Sequence, residues 1–207
     1  MPLVYQQNIN EHTKIGVWQI IESNSYFLHR ASFQYSISHP QKQLQHLAGR
    51  FLLTELLPDF PVEQIKVSTE GKPYLTDDAL FFSIAHSNDM VAAIISNKKA
   101  GIDIEMPSSK TIAIRDKFLT ASEQVIFAEL EMDQAAQLTL AWSLKEAIYK
   151  WYGLGGVDFK KQMNILRIKE TAPGLFISDA TFLADKLMPL QLNSMLIEGH
   201  YLTWTLD

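Results

Sequence analysis

Residues 101–105, GIDIE, constrain the fold more than any other short stretch of the chain. The two carboxylates, Asp103 and Glu105, alternate with isoleucines, which is the period-2 pattern of a strand with one apolar face. This alternation places both carboxylates on the same face, a few ångströms apart. Because like charges at that separation repel, one of the two pKa values would rise unless a cation lies between them.

A second segment, residues 142–150, WSLKEAIYK, has the pattern of a helix. Trp142, Glu146 and Lys150 are spaced four apart and therefore share one face of that helix. If Glu146 faces the strand pair, three carboxylates form an all-oxygen site for a hard divalent ion such as magnesium. Lysines beside such a site could receive phosphate, so the pattern indicates phosphoryl-type transfer.

The same residues also have plainer interpretations when the patterns are taken alone. Asp103 and Glu105 could be solvated acids on a strand edge, the usual place of such residues. Glu146 and Lys150 could form a surface ion pair on a helix, worth only about 0.3–0.5 kcal/mol. Spacing by itself leaves these alternatives open.

Composition limits the class of protein. The chain has 207 residues, 47% of them apolar and 20% charged, as in ordinary soluble globular proteins of one domain or two small ones. It contains no cysteine, which excludes disulfides, thiolate metal sites and a cysteine nucleophile. The N-terminus lacks the features of a signal peptide, and no apolar run approaches the ~20 residues of a membrane span, so we expect a cytoplasmic protein with no membrane partner.

The formal net charge of −5 argues against broad nucleic-acid binding, which requires a basic surface. Any site for an anionic ligand must therefore be local.

The remaining sequence predicts both helices and strands. A helix is expected over residues 43–57, ending at Pro58, and a second helix is capped by Thr120 with Glu123 as the reciprocal acceptor. A third is expected over residues 139–152, ended by the glycine-rich residues 153–156. Strands are predicted in residues 81–96 with a turn at 88–89, and over residues 101–105, 164–168, 175–177 and 201–206. Residues 88–95 and 199–206 are loosely alike, which is compatible with a twofold internal repeat.

Four segments together resemble a known family. Residues 71–75 (GKPYL), 82–87 (FSIAHS), 101–105 (GIDIE) and 142–150 (WSLKEAIYK) occur in the order and spacing of the 4′-phosphopantetheinyl transferases. The resemblance runs from about Leu47 to Gly153 and is to the long, monomeric type. Any one motif is weakly specific, whereas four in order are strongly specific.

The resemblance implies an α+β fold of two similar halves, a pseudo-dimer in which each small antiparallel sheet packs against a long helix. The halves would be residues 1–98, with the coenzyme A contacts, and residues 99–207, with the metal site and carrier docking. Coenzyme A and Mg²⁺ would lie in the cleft between them. The implied reaction moves the phosphopantetheine arm of coenzyme A onto a serine of an apo acyl, peptidyl or aryl carrier protein and releases 3′,5′-ADP.

The resemblance also assigns roles in the C-terminal half. Asp103, Glu105 and Glu146 would bind the metal, and Glu146 would also act as the base. Lys150 would contact the pyrophosphate and stabilise the leaving group. Lys145, about a hundred degrees round the helix from Glu146, would take part in the phosphate site.

The residues implied to bind coenzyme A lie in the N-terminal half. His86 would hold a phosphate, although a lone histidine in an apolar strand is more often structural. Lys72, aimed by Pro73, would clamp the 3′-phosphate, the alternative being an exposed turn lysine. For Arg50, a phosphate contact and a structural ion pair are equally supported.

Three features depart from the family pattern. Ala85 stands where the family usually has a serine, and Asn88 and Asp89 form the turn where a glycine is frequent. Asparagine tolerates the left-handed conformation, so the turn can be kept. Residues 42–46, KQLQH, stand where arginines are common. Ala85 and the thin basic cluster at residues 42–46 bear on the strength of 3′-phosphate binding rather than on the metal chemistry.

Two other functions use the same residues. One is a Mg²⁺-dependent hydrolase that cuts the pyrophosphate of coenzyme A with water as the nucleophile. The other is a non-catalytic relative that binds coenzyme A or a carrier as a regulator, for which Ala85 is the one supporting departure.

Overall fold

The computed structural model describes residues 2–28, 37–77 and 79–207. The chain divides into two compact units, Met1–Ala100 and Gly101–Asp207. Both units combine antiparallel sheet with helices, so the predicted α+β class is confirmed. The likeness of the two halves and the assignment of ligands to each remain predictions.

The first unit is built on a four-stranded antiparallel sheet in the order β1-β2-β6-β5. All seven residues of β6 are buried, because the strand lies between β2 and β5 and packs against helix α2. A separate two-stranded ribbon pairs β3 with β4. The elements are β1 (Leu3–Asn10), β2 (Thr13–Gln19), α1 (Asn24–Leu28), α2 (Pro40–Leu56), β3 (Lys66–Val67), β4 (Pro73–Tyr74), β5 (Phe81–Ser87) and β6 (Met90–Ser96).

The second unit holds a five-stranded sheet in the order β7-β11-β10-β9-β8. Its core packs the sheet against helix α5, whose buried Leu140, Leu144 and Ile148 repeat every four residues along one face. The elements are β7 (Ala100–Glu105), α3 (Lys110–Phe118), α4 (Ala121–Ala128), α5 (Gln134–Tyr152), β8 (Met163–Ala172), β9 (Leu175–Leu183), β10 (Leu187–Ile197) and β11 (His200–Leu206).

Several local predictions are confirmed. Thr120 and Glu123 form the predicted capping box at the start of α4. The strands β5 and β6 turn at 88–89, and Asn88 adopts the left-handed conformation with φ 53°. Helix α5 ends at Tyr152 and is capped by Gly153, which has φ 75°.

Other elements differ from the sequence-based expectation in extent. Helix α5 begins at Gln134 rather than at 139, because the Asp133 side chain accepts a hydrogen bond from the Ala136 amide at 2.9 Å and caps the helix. Strands β8 and β9 are longer than predicted, and β1, β2 and β10 were not predicted at all.

Within the described residues, no helix is both long and apolar enough to cross a membrane.

Candidate functional site

Strand β7 is covered on both faces. Ala100 to Ile104 are all buried, and Asp103 is only 2% exposed. The alternation of GIDIE correctly indicates a strand. The face that carries the carboxylates is buried at Asp103 instead of being exposed to solvent. Glu105, at the end of the strand, is half-buried. The interpretation of Asp103 as a solvated edge acid is therefore wrong.

Gly101 brings β7 into backbone contact with α5. A Cβ atom at Gly101 would lie 2.1 Å from the Ala147 carbonyl oxygen and 2.6 Å from the Trp151 amide nitrogen. Only glycine permits this approach, because the obstructing atoms belong to the helix backbone and cannot rotate away. The close approach places Asp103, two residues along the strand, against the same helix.

Asp103 forms an ion pair with Lys150. The Lys150 Nζ atom donates to Asp103 Oδ1 at 2.5 Å. The other oxygen, Asp103 Oδ2, is buried and has no hydrogen-bond partner among the described residues. Burial disfavours the charge on Lys150, but the nearby carboxylates of Asp103 and Glu146 outweigh it and raise the pKa of the ammonium.

Glu146 is coupled to both strand carboxylates. Burial raises its pKa to about 7, the negative charges of Asp103 and Glu105 add to this rise, and Lys150 opposes it. The helix residue therefore faces the strand pair closely enough to interact with it electrostatically. This interaction agrees with the expectation that Glu146 faces Asp103 and Glu105. The role of the three residues as metal ligands remains a prediction.

The fit of this group to a divalent cation can be judged from its donors. In the part of the chain that the structure describes, no three acidic, histidine or cysteine side chains stand close enough to ligate one ion as they are. The three residues nevertheless supply oxygen atoms alone, which is the donor set that Mg²⁺ prefers. The buried Oδ2 of Asp103, which finds no hydrogen-bond donor within the described residues, indicates that the group has too little positive charge near it. The residues therefore fit a hard divalent ion.

Lys145 lies in the core, with no exposed surface. Its Nζ atom donates to three backbone carbonyls, those of Phe118 at 2.6 Å, Phe159 at 2.9 Å and Met163 at 3.0 Å. It also pairs with Glu123 Oε1 at 2.7 Å. A phosphate contact would require the ammonium to leave all four acceptors, so the geometry favours a structural role. Its predicted part in the phosphate site remains a prediction.

Glu123 completes a buried polar node that the sequence did not reveal. Its Oε2 accepts from the Thr120 amide at 2.8 Å, and its Oε1 accepts from the Ile165 amide at 2.9 Å as well as from Lys145. The Thr-x-x-Glu spacing identified the cap, but it carried no signal for the pairing with Lys145. The node ties α4 and β8 to the helix that carries Glu146.

The first unit contains a separate basic group. The rings of His46 on α2 and His86 on β5 have centroids 5.9 Å apart. Burial and the positive charges of Arg50, His86 and Lys42 lower the pKa of His46 to about 4. Arg50 is 6% exposed and donates to the His46 carbonyl at 3.3 Å, whereas His86 is exposed. His46 thus contacts both predicted residues, Arg50 and His86, although no sequence motif singled it out.

Lys72 follows a tight turn in which Gly71 has φ 83°. Burial and the neighbouring ammonium of Lys99 lower the pKa of Lys72 to about 8. Two lysines whose charges repel favour the binding of an anion between them. Lys99 was not among the predicted residues, since it lies 27 positions away in the sequence and no motif includes it.

The fold and the coupled carboxylates define an α+β protein with an acidic group held between a strand and a helix. Residues 99–201, which contain this group, match the family model of the 4′-phosphopantetheinyl transferase superfamily. Residues 99–201 of the chain are thus assigned to this superfamily.

Curated relatives agree with the family model. The 4′-phosphopantetheinyl transferase psf-1 of Bacillus pumilus is 34% identical over 53% of this chain and 50% of its own length. The 4′-phosphopantetheinyl transferase gsp of Aneurinibacillus migulanus is 34% identical over 52% of this chain and 50% of its own. Enterobactin synthase component D of Salmonella typhi is 30% identical over 58% of this chain and 54% of its own. The chain thus spans about half the length of these relatives.

Proposed function

We propose that this protein transfers 4′-phosphopantetheine from coenzyme A to a serine of an apo carrier protein, releases 3′,5′-ADP and depends on Mg²⁺. The observation that carries the proposal is the coupling of Asp103, Glu105 and Glu146 beside Lys150, inside the segment that matches the family. The names of the psf-1 and gsp relatives support the same reaction class. The resemblance to the long type supports a monomer.

The proposed reaction needs a base and a cation, and the chain supplies both. The serine oxygen forms a bond to the β-phosphorus while the bond from that phosphorus to the bridging oxygen breaks, and the nucleotide leaves as 3′,5′-ADP. The hydroxyl proton passes to the Glu146 carboxylate, which acts as the general base. Lys150, four residues further along the same helix face, balances the negative charge of the leaving group. A magnesium ion bound by Asp103, Glu105 and Glu146 would neutralise the pyrophosphate.

The basic residues of the first unit are proposed to bind the phosphates of coenzyme A. Lys72, with a pKa of about 8, keeps most of its charge at pH 7 and is suited to the 3′-phosphate. Arg50 and His86 would contact phosphate together with His46, which is neutral at pH 7 and can donate one ring N–H. We leave Lys145 out of the phosphate site because its ammonium is committed to the core.

The proposal is tested by measuring 3′,5′-ADP formation from coenzyme A and Mg²⁺, with and without a set of apo carrier proteins. We expect nucleotide release only when a carrier is present, in equal amount to the carrier modified. Release at the same rate without carrier would instead identify the coenzyme A hydrolase. If the protein binds coenzyme A but releases no 3′,5′-ADP with any of the carriers, it is a non-catalytic relative.

A further inference from the structure

The cation that stands beside Asp103 in this structure belongs to the protein itself. Asp103 is 2% exposed, and one of its two oxygens is held by the Lys150 ammonium at 2.5 Å. A buried carboxylate without a positive partner would be strongly unfavourable. Lys150 therefore compensates the negative charge of Asp103 with one positive charge, where a divalent ion would supply two.

One positive charge does not balance the group. The second oxygen of Asp103, Oδ2, is buried and finds no hydrogen-bond donor within the described residues. The carboxylates are thus arranged to accept more positive charge than the lysine provides.

We propose that Lys150 and a divalent cation are alternative partners of Asp103, so that the lysine weakens cation binding and moves away from Asp103 when the cation is bound. This inference deepens the proposed function and rests on it for the identity of the metal-binding residues. The predicted residues Asp103, Glu105 and Glu146 promote metal binding, whereas Lys150 opposes it.

The geometry allows Lys150 to move. Its side chain is 26% exposed, whereas that of Asp103 is 3% exposed, so the lysine is the partner with access to solvent. Four flexible methylene groups can carry the ammonium away from Asp103 without movement of the α5 backbone. The lysine stays one helical turn from Glu146, where the proposed reaction needs a cation for the leaving pyrophosphate. Exchange at Asp103 would therefore couple cation binding to the release of this ammonium for phosphate.

The test is a calorimetric titration of the purified full chain with Mg²⁺ and, separately, with Mn²⁺, in the absence of coenzyme A and carrier. Lys150→Met removes the competing charge at nearly constant side-chain length, and we expect its metal affinity to rise by about tenfold. Lys150→Arg keeps the charge and should bind metal no more tightly than the parent protein. Lys161→Met, which removes an 83%-exposed lysine paired with Asp158, is the control for net charge and should leave the affinity unchanged.

Thermal unfolding gives a second readout. Without metal, Lys150→Met leaves Asp103 buried and unpaired, so its Tm should fall, and saturating Mg²⁺ should raise its Tm by more than that of the parent protein. If the methionine variant does not fold, Lys150→Gln supplies a neutral group that can still donate a hydrogen bond to Asp103.

Equal or weaker metal binding by both neutral variants would overturn the inference, because Lys150 would then support Asp103 as a ligand instead of competing for it. Absence of metal binding in the parent protein as well would overturn it too, since the carboxylates would not be a metal site. Neither result depends on turnover, so either one is distinguishable from failure of the transferase assay.

Discussion

At the scale of single residues, Glu146 is the proposed base and metal ligand, and its charged form destabilises the folded protein. Its pKa is raised from 4.5 to about 7, chiefly by burial and by Asp103. A carboxyl whose pKa is higher in the folded than in the unfolded protein binds protons more tightly in the folded state. The free energy of unfolding therefore falls as the pH rises from about 4.5 to about 7, and the full penalty applies above that range.

Glu146→Gln should consequently stabilise the protein while removing most turnover. The amide carries no charge, so in EDTA the free energy of unfolding at pH 8 should rise by about 1–3 kcal/mol, with no gain at pH 4. Turnover should be lost because glutamine neither accepts the serine proton nor carries the charge that favours a metal. Urea unfolding at the two pH values, together with an assay at pH 8, measures both effects. A near-parental rate would refute the roles of Glu146 as base and ligand.

Lys145 and Glu123 show a different use of buried charge. Lys145→Met removes the ammonium but leaves Glu123 buried without its cation, so we expect a loss of about 3–5 kcal/mol in the free energy of unfolding. Lys161→Met, at an exposed pair, should change it by less than about 1 kcal/mol.

A double variant, Lys145→Met with Glu123→Gln, should lose less stability than the sum of the two single changes, because the two side chains share one interaction. Urea unfolding at pH 7 of the parent protein, the two single variants, the double variant and Lys161→Met measures these changes. A loss for Lys145→Met as small as that for Lys161→Met would show that the node does not hold α5 in place.

At the scale of secondary-structure elements, the site depends on how closely β7 approaches α5. Gly101→Ala introduces a Cβ atom 2.1 Å from a helix carbonyl, and neither backbone can yield without a shift of the whole element. We expect a loss of about 3 kcal/mol or more in stability. We also expect at least a tenfold loss in turnover in the fraction that remains folded, because Asp103 moves relative to Glu146.

Gly156→Ala is the matched control for this change. Gly156 has φ 65° but no atom within 4 Å of an added Cβ, so alanine there introduces only backbone strain, of about 1 kcal/mol. Thermal unfolding and turnover of the two alanine variants separate contact from strain. Similar behaviour of both variants would mean that close packing of β7 on α5 is not what positions the site.

The elements also show what local sequence can and cannot predict. The period-2 pattern of GIDIE correctly gave strand β7, but alternation states which residues share a face and not what covers it, so the burial of Asp103 was not foreseen. The capping box at Thr120 was predicted because all of its interactions are local. The start of α5 was misplaced by five residues because the cap at Asp133 was not recognised. Strand β10 was missed even though its buried and exposed positions alternate, as expected of a strand with one covered face.

At the scale of the whole molecule, the motifs identified the family and the class of fold. They also named most of the candidate residues, because those residues recur at fixed spacing within short segments. The motifs did not predict three pairs of residues that are distant in sequence: Lys145 with Glu123, Lys72 with Lys99, and His46 with His86. Each of these pairs is brought together by folding, and no local spacing encodes it.

Intact-protein mass spectrometry of apo carrier proteins shows whether the phosphopantetheine arm is transferred. Several carriers would be incubated with this protein, coenzyme A and Mg²⁺, with EDTA and Glu146→Gln as parallel controls. We expect at least one carrier to gain the mass of one phosphopantetheine arm, and we expect both controls to abolish the gain. If every carrier stays unmodified in the presence of folded protein and Mg²⁺, the protein does not transfer the arm to these carriers and the proposed function is wrong.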